Sequence, residues 1–383
     1  MTRIRELLVA LLVVVAAFGA VAAPVSGAPA PEMSQQTTAD CSFPFSAEDA
    51  TGTEVTLDEA PEKVVTLGPA SAQTMWEIGA KSKVVATTQY ASYLDGADSR
   101  ANVSGSGFAF VSVEAVIAQE PDLVLAENIV QDKTVEKLRQ AGITVYKFDS
   151  ASSLEDVYQK VERTGELVGA CEGATESVDE MKTEVEVVQK ASANAESPKA
   201  LYVFGGYTPG PNTYIHDLIT TAGATNLAAD ADLEYSAAGY AQINPEVVAD
   251  MEVEWLLLNS DAPEPRVPDS PAYQNTVAVK QNQTVVLDAN LVSQPAPRSI
   301  EVMRQLAKTW YPEAYAEANA SVRGDVSAGT NTTTATTSAT ETATATATTS
   351  KDSTAGENGG SPGFTAVGAL AALVSLTALA RRD

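Results

Sequence analysis

The sequence predicts an α/β protein of two lobes with mostly parallel central sheets, joined by a long connector helix, with a cleft between the lobes. Three observations carry this expectation. Short apolar strands alternate with helical patterns between about Cys41 and Ala320, as in parallel sheets linked by helices. The alternation is interrupted between Leu154 and about Ala193, where the periodicity is helical throughout apart from a break near Gly169 to Gly173. The third observation is an internal echo. Ser112-Val113-Glu114-Ala115-Val116-Ile117 precedes the run Leu123-Val124-Leu125, and Asn244-Pro245-Glu246-Val247-Val248-Ala249 precedes Trp255-Leu256-Leu257-Leu258. Each copy has a capping residue, a glutamate in the first turn, a short apolar helix and a buried strand, so one module occurs once in each lobe.

Taken in order, an N-terminal lobe over 41–150 begins with the strand Val64 to Leu67, then a helix from Ser71 to Ile78 stopped by Gly79. Val84 to Ala86 is a strand, Ser112 caps a helix through Gln119, and Leu123 to Leu125 is a strand after Pro121. A helix from Lys133 to Ala141 and the strand Thr144 to Phe148 complete the lobe. In the connector, 151–197, Leu154, Val157, Val161 and Val168 share one face, and Val178, Met181, Val185 and Val188 share another. Ser152 with Glu155 forms a capping box at its start. The C-terminal lobe, 198–320, opens with the strand Lys199 to Phe204, a Gly-Pro loop and a helix from Thr213 to Ala222. It closes with a last helix from Arg298 to Thr309.

The two ends carry addresses. Arg3 and Arg5 precede an apolar run from Leu7 to Val21 and small residues, the pattern of an export signal over 1–28, with a retained membrane anchor as the alternative. Residues 321–360, rich in Thr, Ala and Ser, bury too little to fold and are expected to form a stalk. Pro362-Gly363-Phe364, an apolar stretch to Ala380 and Arg381-Arg382 follow, within 361–383. This tail resembles the PGF-type sorting signal of haloarchaeal surface proteins. The resemblance implies an archaeosortase-type processing enzyme and a lipid in place of the helix; an uncleaved transmembrane anchor is the alternative. Either way the folded part is expected on the extracellular face of the membrane. Sequons at Asn102, Asn282, Asn319 and Asn331 fit a surface glycoprotein. Asp and Glu number 50 against 24 Lys and Arg, for a net charge of −26, which excludes nucleic acid as a partner. That excess is expected of a halophilic archaeon, or of an acidic mesophilic surface. Two cysteines in an exported chain suggest one disulfide, Cys41 to Cys171, with two buried free thiols as the alternative.

The order of Pro61-Glu62-Lys63-Val64-Val65-Thr66-Leu67, Glu120-Pro121-Asp122-Leu123-Val124-Leu125, the long connector and Pro297-Arg298 resembles the class III solute-binding proteins of ABC importers for ferric siderophores, haem and cobalamin. The resemblance spans roughly Pro61 to Tyr315. It implies a ligand held between the lobes, an ABC permease with its ATPase subunits as partners, and no enzymatic activity. It also implies that Glu114 and Glu246 dock the permease, although a carboxylate in a first helical turn is favoured by the helix dipole in any case. No separate cofactor is implied, the ligand itself carrying cobalt or iron.

In open α/β sheets, ligand contacts come from loops at the carboxyl ends of strands. That nominates Tyr90, Tyr93, Phe108, Phe110, Glu127 and Asn128 in the first lobe, and Tyr207, Asn212, Tyr235 and Tyr240 in the second. The segment Gln89-Tyr90-Ala91-Ser92-Tyr93 is similar to a corrinoid-contacting loop of cobalamin-binding members. Aromatic faces suit a large planar ligand, though any one of these tyrosines could instead cover its own lobe. Anionic ferric siderophores call for arginine, and only Arg100 and Arg298 are candidates, the latter with a structural alternative. The balance favours a corrinoid over a ferric siderophore or haem. A bare transition metal needs converging ligands, and His216 is the single histidine. Ser104-Gly105-Ser106-Gly107 lacks the form of a nucleophile elbow, which argues against an extracellular enzyme. A surface-layer or adhesion protein would show β-rich repeats, which are absent from the sequence.

Overall fold

The computed structural model describes residues 41–106, 110–260 and 266–331, the side chains only as far as residue 324. The export signal, Phe108, most of the stalk and the sorting motif lie outside these residues, as does the side chain of Asn331. The first lobe runs β1 (Phe45–Glu48), β2 (Glu54–Leu57), β3 (Val64–Leu67), α1 (Pro69–Glu77), β4 (Val84–Thr87), β5 (Ala101–Asn102), α2 (Val113–Ile117), β6 (Leu123–Ala126), α3 (Asp132–Gln140) and β7 (Val145–Lys147). Its sheet has the order β5-β4-β3-β6-β7, all parallel, with β1 and β2 forming a separate antiparallel ribbon. The connector is α4 (Leu154–Val168) and α5 (Cys171–Ser192). The second lobe runs β8 (Lys199–Val203), β9 (Tyr207–Pro209), α6 (Tyr214–Thr221), β10 (Thr225–Asn226), β11 (Tyr240–Gln242), α7 (Pro245–Ala249), β12 (Trp255–Asn259), α8 (Pro271–Gln274), α9 (Val277–Lys280), β13 (Thr284–Leu287), α10 (Ala289–Val292) and α11 (Ser299–Trp310). Its parallel sheet has the order β10-β8-β12-β13, and β9 pairs with β11 in a small antiparallel ribbon. A long helix, α12 (Pro312–Asn331), follows.

The central strands β3, β6, β8 and β12 are buried along almost their whole length because both faces are covered. Successive side chains point to opposite faces, and the two faces belong to different cores. Val64, Leu123 and Leu125 join a core shared with the connector, whereas Val65, Val124 and Ala126 pack towards α2 and α3. The second lobe repeats the division. Ala200, Tyr202 and Leu257 join the shared core, and Leu201, Leu256 and Leu258 form a separate one. The shared core therefore runs from the first sheet through Val161, Met181 and Val187 of the connector into Leu218, Met303 and Leu306 of the second lobe.

The connector breaks where the sequence places the break. Gly169 takes a left-handed conformation (φ 71°) that closes α4, and α5 starts two residues later. The capping box differs from expectation by one residue. Ser153 accepts from the backbone N–H of Asp156, and the Asp156 carboxylate accepts from the N–H groups of Ser152 and Ser153. Aspartate serves here because a short carboxylate one position on reaches both donors. Val185 is partly buried, while Val178, Met181 and Val188 are buried as the periodicity predicts.

The helix from Ser299 to Trp310 is not the last. In α12, Tyr315, Ala318 and Val322 are buried against the shared core, so ordered packing continues past residue 320. The Ala-rich composition of α12 conceals this, since its apolar residues are small. A polar clasp adds to the packing: the buried Glu184 of α5 accepts from Arg304 at 2.8 Å, Arg323 at 2.7 Å and the Tyr315 hydroxyl at 2.7 Å. Burial acts to raise the Glu184 pKa, but these donors outweigh it and hold the carboxyl below its ordinary value.

Cys41 and Cys171 form the disulfide, with Cα atoms 5.5 Å apart, linking the start of the described chain to the first residue of α5. It closes a loop across a sequence separation of 130. In the chain-entropy picture such closure stabilises by up to about 5 kcal/mol. Replacing both cysteines with alanine is expected to lower the urea midpoint while leaving the far-ultraviolet circular dichroism of the native state unchanged; an unaltered midpoint would show that the bridge contributes nothing to stability.

Candidate functional site

In each lobe the chain order reverses beside the central strand, between β3 and β6 in the first and between β8 and β12 in the second. Such switch points open a crevice at the carboxyl ends of the strands. In the first lobe this crevice is occupied by protein. Gly68 follows β3, and a Cβ there would lie 2.2 Å from Cγ of Glu127, the residue following β6. Only glycine lets the Glu127 side chain pass.

Glu127, nominated as a ligand contact by its loop position, is turned inward here. It is buried, accepts a hydrogen bond from the Ser71 hydroxyl at the start of α1, and is paired with the equally buried Lys160 of α4 at 2.5 Å. The Lys160 ammonium also lies 5.3 Å from the Phe148 ring centroid. This pair joins the end of β6 to the connector beneath the cleft. A sequence pattern cannot reveal it, because the partners are 33 positions apart and Lys160 looks like any charge on an exposed helical face.

Around this floor the first lobe presents aromatic rings. Tyr90 stacks on Phe110 with centroids 5.1 Å apart and an interplanar angle of 10°. Tyr93 is half-buried, and its hydroxyl accepts from Nε2 of Gln73 at 2.9 Å. Burial raises the Tyr93 pKa to about 12, so it is neutral over the physiological range. Asn128 is exposed and donates to the Ser150 hydroxyl at 2.8 Å. Arg100 donates to the carbonyl of Lys81 at 3.1 Å, on the far side of β4 in sequence from the Gln89–Tyr93 loop.

The second lobe gathers its rings around Phe204, a residue the sequence reading left inside a strand. Tyr207 lies 6.2 Å, Tyr240 5.5 Å and Tyr202 5.7 Å from it between centroids, with Tyr240 edge-on. The β9–β11 ribbon pairs Tyr240 with Pro209 and Tyr207 with Gln242, so that tyrosines from distant positions both reach Phe204. Burial raises the Tyr240 pKa to about 12. Tyr235 is placed differently: its hydroxyl donates to the Ala228 carbonyl, and its ring packs so closely on Gly210 that a Cβ there would lie 2.0 Å from it. It props the loop before α6. Asn212 is exposed in a left-handed turn of that loop (φ 64°).

Between the lobes, Gln73 of α1 accepts a hydrogen bond from the backbone N–H of Arg298 at 2.9 Å. The Arg298 guanidinium is tied to Glu301 at 2.7 Å and is two-thirds buried. Gln73 escaped the sequence reading, because it sits among other polar residues of α1, Ser71, Thr74 and Glu77, and nothing local marks it as buried. Among the described residues no group of three or more His, Cys, Asp or Glu side chains could hold a metal ion, and His216 lies 3.2 Å from the Asn226 amide.

The echoed modules have matching local geometry. Ser112 and Asn244 accept from Ala115 N–H at 3.2 Å and Val247 N–H at 3.0 Å, and Glu114 and Glu246 are exposed as the second residues of α2 and α7. Each helix leads into the strand that flanks the switch point of its lobe.

Two parallel sheets, each with its switch point, and a helical connector sharing one core with both define a two-lobed binding protein. The chain belongs to the periplasmic binding protein family, whose pattern matches residues 64–291. It is 39% identical over 314 residues to a protein of Halobacterium salinarum named cobalamin-binding protein, covering 79% of this chain and 84% of that one. Among solved structures, an ABC-type Fe3+-hydroxamate transport protein of Saccharomonospora viridis is 26% identical with a TM-score of 0.56, covering 70% of this chain and 99% of that one. The periplasmic vitamin B12-binding protein of Vibrio cholerae shares the fold at 19% identity and a TM-score of 0.55, covering 65% and 96%. Membership in a family of binding proteins agrees with the expectation that the chain is not an enzyme.

Removing one member of the buried pair leaves the other charge uncompensated. Lys160→Met is expected to destabilise the protein by about 3–5 kcal/mol in urea unfolding, and adding Glu127→Leu to restore much of that loss. Equal stability of the wild type and Lys160→Met would remove the pair from the account.

Proposed function

We propose that this chain is the extracytoplasmic solute-binding subunit of an ABC importer and that it captures a corrinoid. The observation that carries the proposal is the 39% identity, sustained over 314 residues, to the Halobacterium salinarum cobalamin-binding protein. The character of the cleft supports it. Tyr90, Phe110, Tyr207 and Tyr240 offer aromatic surface from both lobes, which suits a large ligand with planar apolar faces. A second reading, a ferric hydroxamate, rests on the Saccharomonospora viridis structure. The cations weigh against an anionic chelate. Arg298 is engaged by Glu301, and Arg100 by the Lys81 carbonyl.

Delivery requires a permease, and we assign docking to Glu114 and Glu246, exposed on equivalent modules of the two lobes. The sorting signal is proposed to tether the protein to the outer face of the membrane after export, with an archaeosortase-type enzyme acting at Pro362-Gly363-Phe364. Among the described residues no helix is long and apolar enough to cross a membrane. Of the sequons, Asn102 and Asn282 are exposed, whereas Asn319 is partly buried on α12, where it accepts a hydrogen bond from Arg323. The first two are the better acceptors for a glycan.

A ligand that binds only the folded state raises the melting temperature with its concentration, by the equivalent of about 2.7 kcal/mol at a hundredfold excess over Kd. Cobalamin is expected to do so with the purified protein; a shift with a ferric hydroxamate and none with cobalamin would transfer the assignment to the second reading. Charge reversal at both Glu114 and Glu246 is expected to leave the cobalamin shift intact while reducing uptake into vesicles carrying the permease at least about tenfold. Undiminished uptake by the double variant would end the docking role.

A further inference from the structure

Gln73 lies in the middle of α1 with none of its surface exposed, and its amide is used at both ends. Nε2 donates to the Tyr93 hydroxyl at 2.9 Å and to the Asn290 carbonyl at 3.4 Å, and Oε1 accepts from the Arg298 N–H at 2.9 Å. Tyr93 belongs to the first lobe. Asn290 lies in α10 and Arg298 immediately before α11, both in the second lobe. A single neutral side chain thus holds a tyrosine of the cleft and two backbone groups of the opposite lobe.

The chemistry of the position demands an amide. A buried carboxylate would carry an uncompensated charge and could not donate to Asn290, while an apolar residue would leave three polar groups unmatched. Asparagine has the same donor and acceptor but a shorter reach. The charges nearby are arranged around this contact. The Arg298 guanidinium is held by Glu301, and Glu77, one turn along α1 from Gln73, interacts electrostatically with both. The Arg298 side chain is thereby directed to these carboxylates, and its backbone N–H is what meets Gln73.

We propose that Gln73 is a positioning residue that couples the ligand cleft to the joint between the lobes. By donating to the Tyr93 hydroxyl it orients that group so that its hydrogen is offered to an acceptor oxygen on the ligand. By holding Asn290 and Arg298 it sets the spacing across which the second lobe meets the same ligand. Ligand contact at Tyr93 and the separation of the lobes are then linked through one amide. The ligand part of this proposal rests on the corrinoid reading; the spacing part does not.

Two measurements test it on the full-length secreted chain with its disulfide intact. The first uses spin labels at Gln140→Cys and Gln281→Cys, exposed positions on opposite lobes, added to a chain whose two native cysteines are bonded to each other. Wild type is expected to give one narrow distance distribution, and Gln73→Leu a broadened or longer one at unchanged circular dichroism. The second is cobalamin affinity in a double-mutant cycle. Gln73→Leu and Tyr93→Phe are each expected to weaken binding about tenfold, and the double variant to be no weaker than Gln73→Leu alone. Gln73→Met, which keeps the length of the side chain and loses the amide without adding a charge, carries the same expectations if Gln73→Leu does not fold. An unchanged distance distribution overturns the spacing role, and fully additive affinity losses overturn the action through Tyr93. Should wild type bind no cobalamin, the corrinoid reading fails and the distance measurement alone decides the clasp.

Discussion

The rest of the structure depends on one apolar core that passes through the connector into both lobes. Each central strand gives alternate residues to this core and the others to a core of its own lobe. The lobes are consequently not beads on a string. Separating them would expose Val161, Met181 and Val187 of the connector together with their partners in both sheets. At roughly 25 cal/mol per Å² of apolar surface, such exposure opposes wide opening. A shared core of this kind favours small adjustments of one lobe against the other.

Three buried polar networks inside this frame occur where chain segments meet, and the side chains that centre them are hydrogen-bonded. Glu127 with Lys160 joins the end of β6 to α4, Glu184 joins α5 to α11 and α12, and Gln73 joins α1 to α10 and α11. Burying such groups costs free energy that the bonds only partly offset, so their worth lies in specifying one arrangement of the segments they connect. Two of the three lie against the cleft floor or the interlobe joint. The aromatic rings above them need fixed backbones to form a surface, and these networks supply that rigidity.

Much of the architecture was legible in the sequence because it follows from local periodicity. The strands Val64–Leu67, Leu123–Leu125 and Trp255–Leu258, the helical connector and its break at Gly169 all lie where pattern and breaker residues put them. The echo of Ser112 and Asn244 became two capped helices, since capping depends on residues three apart. Less was legible where packing depends on small side chains or short elements. The strands of the β1–β2 and β9–β11 ribbons are only 3 or 4 residues long, too short for their alternation to stand out, and the alanines of α12 hid a buried face at Tyr315, Ala318 and Val322.

The candidate site divides in the same way. Loops at the carboxyl ends of strands carry Tyr90 beside Phe110, and Tyr207 and Tyr240 each beside Phe204. Which side chains turned outward was decided by partners far off in sequence. Glu127 was drawn inward by Lys160, Tyr235 was pinned to Ala228, and Gln73 was matched to Asn290 and Arg298 across separations of 217 and 225 residues. By itself the sequence determined the α/β class, the two-lobed order and the placement of its capped modules, because period and capping act within a few residues. Only the tertiary structure decided which polar groups are buried and what they hold, because that choice is made by neighbours that folding alone brings together.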